Sequence, residues 1–463
     1  MTKITFLGAG STTFVRNVLG DCLCTEALRD AEFALYDIDA TRLAESAEII
    51  GLMRDTMGGK AKITTYLGVE NRKEALRGAS FIVNAIAVGM QECMNIDFDI
   101  PRKYGLYQTV GDTLGIGGIM RGLRTIPVME EIAHECEEVC PDVLFINYTN
   151  PMAILSGYMQ RYTGINTVGL CHSVQSVSYW LLKELGMEDK LIGRRELVAG
   201  INHQAWLLEL KDKDGNDLIP ECRRRAIEMN AATKHNDMVR FDYLARFGYF
   251  VTESSNHSAE YSMFYIKEKY PELIDRYNIH IRREPLSAER RDERRKQWLE
   301  ELDELRRHSR QPHVRTFEYA SYIMEAIAAG TPWPGADPWN DDPQKYNRYG
   351  VGPYHVACNV LNKGGLIENL VEDACVEVPC MVDGQGVHPC RVGRLPVQCA
   401  AMNMTNINPQ LITIEAAVTH KKENIYQAAM LDPHTGSELD MDTIVKMVDE
   451  MLDAFGDWMP KFH

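Results

Sequence analysis

The sequence predicts an α/β fold in which a Rossmann-like, doubly wound parallel sheet is followed by a mixed α+β region. Three observations support this prediction. A strand, a glycine turn and a helix follow one another near the amino terminus, strands and helices then alternate up to about residue 195, and beyond that point the alternation stops. A chain of 463 residues is also too long for one compact core. We therefore expect two domains, at residues 1–195 and 196–463.

The first predicted strand leads into a glycine turn. Residues 4–7, ITFL, are predicted as a strand, residues 8–13 read GAGSTT, and the segment after them has apolar side chains at helical spacing. Gly8 allows the tight turn, Gly10 lets the backbone approach a ligand, and Ser11 lies where the helix begins, so that its first amides face a phosphate. The third glycine of the usual pattern is absent. The turn predicts a site for the pyrophosphate of a dinucleotide.

The second predicted strand, at residues 33–39, contains an acid near its end. Asp37 is positioned to hydrogen-bond the ribose hydroxyls of the dinucleotide. A carboxylate there repels a ribose 2′-phosphate, so the sequence favours NAD over NADP. The alternative function for an acid at this point is to cap the next helix, which suits Asp39 better than Asp37.

The alternation continues through four more predicted strands, at residues 63–66, 81–86, 143–147 and 167–170. Between the fourth and fifth strands, residues 110–118 are rich in glycine, which indicates either a close approach to a ligand or a flexible lid. Asn150 follows the fifth strand and precedes a proline, so it is biased to an extended conformation at the ligand edge of the sheet. Its amide can bind vicinal hydroxyls, or it is a turn asparagine satisfied locally.

A thiol and two imidazoles mark the remaining candidate site. Cys171 and His172 follow the sixth strand, and His203 lies among apolar residues in the segment GINHQAW at residues 200–206. One thiolate and one imidazole from different elements can hold a borderline divalent metal and leave positions open for substrate. Taken singly, Cys171 is more simply a small core residue and His203 a satisfied core histidine. Together they predict a metal site.

The second half of the chain is less regular. Strands are expected on both sides of His203, at residues 196–209, and residues 247–261 are rich in polar and titratable groups. Residues 282–310 predict a charged peripheral helix, and residues 331–354, rich in Pro, Gly, Trp and Asp, a surface loop. Short strands and helices at residues 411–430 and 442–455 complete the prediction.

Charge and composition exclude several partners. The net charge of −16 argues against nucleic acid, which needs clustered Lys and Arg. No apolar run approaches the ~20 residues that cross a bilayer, and the amino terminus lacks the apolar core of a signal peptide. The twelve cysteines form no regular framework, and neither Cys22/Cys24 nor Cys136/Cys140 has the spacing of a zinc site. Reduced thiols in the cytoplasm are the expected state.

The chain resembles glycoside hydrolase family 4, the NAD- and divalent-metal-dependent glycosidases. The likeness extends over essentially the whole chain. The matching segments are residues 8–11, 35–37, 111–113, 150–152, 171–174, 202–203 and 376–380. Family members that act on 6-phosphorylated sugars have Asp or Asn after the metal-binding cysteine. The segment CHSV at residues 171–174 instead resembles the α-galactosidase (melibiase) branch.

The resemblance implies a redox mechanism. NAD⁺ takes a hydride from C3 of the sugar, a Mn²⁺ or another divalent metal held by Cys171 and His203 polarises the ketone, and a base removes the C2 proton. The aglycone then leaves from C1, water adds, and NADH returns the hydride. Tyr261 is the best match for the base, with Tyr265 and Tyr249 as alternatives, and a phenol with a pKa near ~10 needs a cation to act.

The resemblance also implies functions for two other residues. His172 is expected to protonate the leaving group or to bind substrate, and Asn150 to bind the C2 and C3 hydroxyls. The first domain then holds NAD, and the second contributes to substrate and metal binding and to assembly as a homodimer or homotetramer.

Other functions are left open by the sequence. Within the family, α-galacturonidase, α-glucosidase and α-glucuronidase are alternatives. Outside it, an NAD-dependent dehydrogenase of the lactate or malate type shares this fold and would use Arg121 or Arg124 to bind a carboxylate. A non-catalytic NAD-sensing module is the third alternative.

Overall fold

The structure is a computed structural model that describes residues 2–282, 288–329 and 353–463. Within these ranges twelve strands belong to one sheet. The strands are β1 (Lys3–Leu7), β2 (Glu32–Asp37), β3 (Lys62–Leu67), β4 (Phe81–Asn84), β5 (Leu144–Asn147), β6 (Asn166–Gly169), β7 (Arg195–Ile201), β8 (Gln204–Lys211), β9 (Phe250–Val251), β10 (Tyr354–Leu361), β11 (Cys375–Asp383) and β12 (Gly386–Pro389).

Helices surround this sheet. In the described ranges they are α1 (Thr12–Leu23), α2 (Ala40–Thr56), α3 (Arg72–Leu76), α4 (Met90–Lys103), α5 (Gly115–Val139), α6 (Met152–Tyr162), α7 (His172–Glu184), α8 (Ile219–Ala232), α9 (Met238–Phe247), α10 (Ser255–Glu260), α11 (Glu272–Arg276), α12 (Ala288–His308), α13 (Tyr319–Ala329), α14 (Val397–Thr419), α15 (Lys422–Leu431), α16 (Thr435–Glu438) and α17 (Met441–Phe455). Across the described part of the chain, no helix is both long enough and apolar enough to span a bilayer.

The predicted parallel sheet is confirmed. Strands β1 to β6 pair in the order β3-β2-β1-β4-β5-β6, and every pair among them is parallel. Alternate side chains enter different cores: in β1, Ile4 and Phe6 pack in one apolar cluster and Leu7 packs in the other. Because both faces are covered, the central strands β1, β4 and β5 are buried along their whole length and are mostly apolar.

The sheet does not end with β6. Asn359 of β10 pairs antiparallel with Gly169 of β6, and Glu377 of β11 pairs with Gly200 of β7. The order therefore continues as β6-β10-β11-β7-β8-β9. The α+β region thus extends the nucleotide-binding sheet by antiparallel strands. A domain boundary near residue 195 stays a prediction, since β7 begins there and joins this sheet.

One helix prediction was wrong. Residues 411–430 are not a single helix, because α14 ends at Thr419 and α15 begins at Lys422. His420 between them has a φ of +56°, in the left-handed region that ends helices. Residues 411–430 contain no glycine or proline, so the sequence did not indicate this break. The charged helix at residues 282–310 is present as α12, whereas residues 331–352 of the predicted surface loop lie outside the described residues.

Candidate active site

The candidate site lies at the carboxyl ends of the parallel strands. Gly8 follows β1, Asn147 ends β5, and Cys171 follows β6. The strand order reverses at β1, where β2 and β3 lie on one side and β4 to β6 on the other. Open α/β sheets bind their ligands in the crevice at such a switch point.

The glycine turn after β1 fits a dinucleotide. Gly8 has a φ of +81°, and a methyl group on it would lie 2.6 Å from the carbonyl oxygen of Ala85. The amides of Gly8 and Ala9 donate to the carbonyl of Tyr36, at 3.1 and 2.9 Å. Ser11 then precedes α1, and its side chain makes no capping bond to the helix. The first amides of α1 are thus left for an anionic ligand, as pyrophosphate binding requires.

Asp37 holds the glycine turn in place, which the sequence did not reveal. The amide of Gly10 donates to its Oδ2 at 2.6 Å, and the amide of Asp39 donates to its Oδ1 at 2.9 Å. The carboxylate therefore ties the end of β2 to the glycine turn, with acceptor capacity remaining on both oxygens for ribose hydroxyls. Asp39 accepts from the amides of Thr41 and Arg42 and caps α2, as predicted.

Three possible metal ligands converge beside this crevice. Ligand atoms of Cys171, His203 and Glu253 lie within 4.8 Å of one another, and no other such group of three occurs in the part of the chain that the structure describes. His203 forms the turn between β7 and β8 at a φ of +62°, and Glu253 follows β9 at a φ of +65°. Non-glycine residues in this region cost about 1–2 kcal/mol each. Two such residues facing one thiol therefore indicate a functional constraint.

His203 is fixed through both ring nitrogens. Its Nε2 lies 3.5 Å from the Glu253 carboxylate, and its Nδ1 lies 2.8 Å from the Tyr261 hydroxyl. The Tyr261 side chain is fully buried, and the two rings are nearly parallel at 10°. A metal-binding histidine commonly uses one nitrogen for the ion and the other for an orienting partner. The geometry places Nε2 toward the possible ligands and Tyr261 on the other side of the ring.

Without a cation, the surroundings of Cys171 and Tyr261 favour the neutral thiol and phenol. Burial raises the pKa of the Cys171 thiol, and the carboxylates of Glu377 and Glu253 raise it further. Burial, with the carboxylate of Asp112, likewise raises the pKa of Tyr261 well above its usual value. If Cys171 and His203 held a divalent cation, its charge would favour the thiolate and the nearby phenolate, opposite to the effect of burial. Thiolate, imidazole and carboxylate together suit a borderline divalent metal, so the donor set fits the predicted group.

Asn150 lies next to the glycine-rich segment. Its amide is 3.5 Å from Oδ2 of Asp112, which Arg121 also faces at 3.6 Å and His257 at 3.9 Å through the other oxygen. The His257 ring is 4.9 Å from the His203 ring. Asn150 thus belongs to a polar wall that leads to the possible metal ligands. The sequence had pointed to Asn150 as a sugar-binding residue, but not to its contact with Asp112.

The glycine-rich segment is held in place at its start. The buried carboxylate of Glu260 accepts hydrogen bonds from the amides of Thr109, Val110 and Gly111 at 3.1 to 3.2 Å. These bonds anchor the start of the segment to α10. Close approach to a ligand and a flexible lid both stay predictions for the rest of it. Glu260 is a residue that sequence reasoning missed.

His172 also has a carboxylate partner. Its Nε2 lies 2.8 Å from Oε2 of Glu318, whose side chain is nearly buried, and its ring stacks on Tyr148 at 5.7 Å. The His172 side chain itself is 42% exposed, so one edge of the ring is open to a ligand. Nothing local in the sequence signals Glu318, which precedes α13 far along the chain.

Two of the alternative residues, Tyr265 and Arg124, have partners outside the candidate site. The Tyr265 hydroxyl donates to Asp242 at 3.1 Å, and its ring packs on Tyr243 and Tyr277. This places Tyr265 in a separate aromatic cluster. Arg124 forms two hydrogen bonds with the buried Asp97 carboxylate, at 3.0 and 2.7 Å. Arg124 is therefore already paired and does not fit the carboxylate-binding function of a dehydrogenase.

Two profiles of one protein family match successive parts of the chain. The sequence profile for family 4 glycosyl hydrolases matches residues 3–187, and the profile for the C-terminal domain of that family matches residues 198–334 and 348–435. An α-galactosidase of Bacillus subtilis (strain 168) is 50% identical over 463 residues, which cover 100% of both chains. An α-galactosidase of Rhizobium meliloti (strain 1021) is 32% identical over 99% of this chain and 89% of its own.

Solved structures show the same fold. A 6-phospho-α-glucosidase from gut microorganisms, in complex with NAD and Mn²⁺, superimposes with a TM-score of 0.77 at 19% identity, and the match covers 100% of both chains. The predicted Rossmann-like sheet and its antiparallel extension are therefore shared with an enzyme that has a different sequence.

Proposed function

Because the chain belongs to family 4 of the glycosyl hydrolases, we propose that it is an α-galactosidase that requires NAD and a divalent metal, with Mn²⁺ as the first candidate. The choice of galactose rests on the relative that is 50% identical over the full length. The observation that carries the metal requirement is the convergence of Cys171, His203 and Glu253 beside the dinucleotide crevice. The lactate or malate dehydrogenase alternative and the NAD-sensing alternative are set aside, since neither belongs to this family.

The proposed cofactor sites use residues already described. Gly8, Gly10 and Ser11 would hold the pyrophosphate at the start of α1, and Asp37 the adenosine ribose. Cys171 and His203 would bind the metal. Glu253 adds a carboxylate that the sequence did not predict, and its charge with that of the thiolate would balance a divalent ion.

The protein residues would position the sugar and move its protons. When bound, NAD and the metal supply a hydride acceptor and a Lewis acid, which make the C2 proton of the sugar acidic. Asn150, beside Asp112, would bind the C2 and C3 hydroxyls. Tyr261 would accept the C2 proton. With Nε2 of His203 bound to the metal, Nδ1, which lies 2.8 Å from the phenol oxygen, would carry its hydrogen on that side and stabilise the phenolate.

His172 would assist departure of the leaving group. Its side chain is 42% exposed, and Nε2 lies 2.8 Å from the Glu318 carboxylate. We propose that Glu318 orients the imidazole of His172 toward the glycosidic oxygen, where it donates a proton or a hydrogen bond.

Assembly as a homodimer or homotetramer stays a prediction. The cytoplasmic location also stays a prediction, supported by the twelve unpaired thiols.

A panel of nitrophenyl glycosides tests the function directly. With NAD⁺, Mn²⁺ and a thiol reductant, we expect turnover of the α-galactoside and far slower turnover of the α-glucoside, α-galacturonide and α-glucuronide. Excess EDTA is expected to reduce the rate to background, and added Mn²⁺ to restore it. Full activity in EDTA, or a preference for another sugar in the panel, would contradict the proposal.

Asp37 provides a test of the cofactor site. We expect Asp37→Asn to weaken NAD⁺ binding about tenfold, because a charge-assisted hydrogen bond to ribose is worth about 1.5 kcal/mol or more. The same change is expected to lower the ratio of NAD⁺ affinity to NADP⁺ affinity, because the carboxylate that repels the 2′-phosphate of NADP⁺ is gone. Asp39→Asn is the matched control, because asparagine caps a helix as well as aspartate. Calorimetric titration with both dinucleotides measures the two effects, and equal losses in the two variants would refute this function for Asp37.

A further inference from the structure

A carboxylate is buried at the carboxyl end of α1, the helix whose other end begins at the glycine turn. Asp21 is fully buried and lies in the last turn of this helix, where the helix dipole disfavours a negative charge. Burying a carboxylate is also costly unless several donors surround it. Both costs indicate that the side chain of Asp21 holds another part of the chain in place.

The partners of Asp21 come from one distant segment, residues 313–316. Its Oδ1 lies 2.8 Å from Nε2 of His313 and accepts a hydrogen bond of 2.8 Å from the amide of Thr316. Its Oδ2 accepts a third bond, of 2.7 Å, from the Thr316 hydroxyl. The His313 side chain is nearly buried and lies against Gly20, where a methyl group would be 3.0 Å from Nε2. This segment is thus fixed to α1 at two residues.

The Thr316 hydroxyl connects this contact to His172. It accepts from the amide of Glu318 at 3.3 Å, and the Glu318 carboxylate lies 2.8 Å from Nε2 of His172. Phe317 and Tyr319, on either side of Glu318, pack edge-on against the His172 ring, with centroids 6.3 and 5.4 Å from it. Each of the three residues after Thr316 therefore meets the imidazole, so the placement of Thr316 determines theirs.

We propose that Asp21 and Thr316 are positioning residues for His172. The proposal rests on the proposed function, in which His172 assists the leaving group. Asp21 fixes Thr316, Thr316 fixes the backbone of Glu318, and Glu318 orients the imidazole. Alignment matters here because a hydrogen bond weakens steeply as its angle departs from linear, and proton donation requires such a bond. The two ends of α1 then serve different sites, the amino end the dinucleotide and the carboxyl end the proton donor.

Two α-galactosides with different leaving groups test the proposal in the full enzyme. The phenolate of para-nitrophenyl α-galactoside leaves without a proton, whereas the methoxide of methyl α-galactoside needs one. Thr316→Val removes the hydroxyl and nearly keeps the shape of the side chain. We expect it to lower kcat/KM about tenfold for the methyl glycoside and by no more than about twofold for the nitrophenyl glycoside, because only the first needs the aligned donor. Asp21→Asn is expected to give the same selective loss, and if it fails to fold, Thr316→Val alone decides.

Two further variants are controls. Thr316→Ser keeps the hydroxyl and is expected to retain turnover of both glycosides. Thr163→Val is the matched control, because the Thr163 hydroxyl makes the same pair of bonds elsewhere in the fold. It donates to the carbonyl of Met159 at 2.7 Å and accepts from the amide of Ile165 at 3.3 Å. We expect Thr163→Val to affect both glycosides equally or not at all, as a merely structural function for Thr316 would also predict for Thr316→Val.

Nuclear magnetic resonance of ¹⁵N-labelled histidine separates this proposal from the proposed function. The ring-nitrogen signals of His172 are identified by their absence in His172→Gln. We expect Thr316→Val and Asp21→Asn to shift them and Thr163→Val to leave them in place. If the wild-type protein hydrolyses no α-galactoside but these shifts are seen, the positioning stands and the function is wrong. If the signals do not move, or if Thr316→Val lowers turnover of both glycosides equally, the proposal is overturned.

Discussion

Cys171→Ser is expected to abolish glycosidase activity and to weaken Mn²⁺ binding at least about 100-fold. The thiol lies at the start of α7 with its sulfur within 4.8 Å of ligand atoms of His203 and Glu253. A serine hydroxyl is a neutral and much weaker ligand, and it leaves the positive charge of the ion balanced by Glu253 alone. Electron paramagnetic resonance of bound Mn²⁺ measures the affinity without any need for turnover.

Cys399→Ser is the control for this prediction. Cys399 is fully buried in α14, so both variants lose a buried thiol, but only Cys171 belongs to the candidate metal group. We expect Cys399→Ser to bind Mn²⁺ normally and to retain activity after allowance for any loss of stability. If Cys171→Ser binds Mn²⁺ as tightly as the wild-type protein, the thiol is not a ligand.

Tyr261→Phe is expected to lower kcat by about 10²- to 10⁴-fold, the contribution typical of a positioned general base. The proposed base is the hydroxyl 2.8 Å from Nδ1 of His203, and phenylalanine removes only that oxygen. NAD⁺ binding should be unaffected. Tyr265→Phe is the matched control, because its hydroxyl donates to Asp242 in a separate aromatic cluster, and its kcat should stay near the wild-type value.

A purely orienting function for Tyr261 gives a different result. Loss of an orienting partner typically weakens metal binding by about 10- to 100-fold. In that case activity would return at saturating Mn²⁺, because the base is elsewhere. If Tyr261 is the base, kcat stays low however much Mn²⁺ is added. Titration of Tyr261→Phe with Mn²⁺ therefore decides between the two functions.

The part of the fold that could be predicted is the part encoded locally. The glycine turn, the acid at the end of β2 and the short strand segments of β1 to β6 are signals within short windows, and the structure contains each of them. The antiparallel extension could not be predicted, because β6 pairs with β10 and not with any strand near it in sequence. Pairing between distant strands leaves no periodic signal in either one.

The same distinction applies to the candidate site. Cys171 and His203 could be singled out because each lies next to a recognisable turn or strand end, and the structure brings them together. Glu253 lay in a segment already noted as rich in polar groups, but many residues there were equally plausible. Glu318 lies next to His172 only through the tertiary fold, so sequence reasoning left that histidine without its partner.

Hydrolysis in D₂O shows whether glycosidic cleavage proceeds through removal of the C2 proton. We predict that galactose released from an α-galactoside in D₂O has deuterium at C2, since the base returns a solvent-derived proton after cleavage. Nuclear magnetic resonance of the product, taken at partial conversion, reads this position directly. Galactose that retains its original hydrogen at C2 throughout would contradict the account, because cleavage would then have occurred without proton abstraction from that carbon.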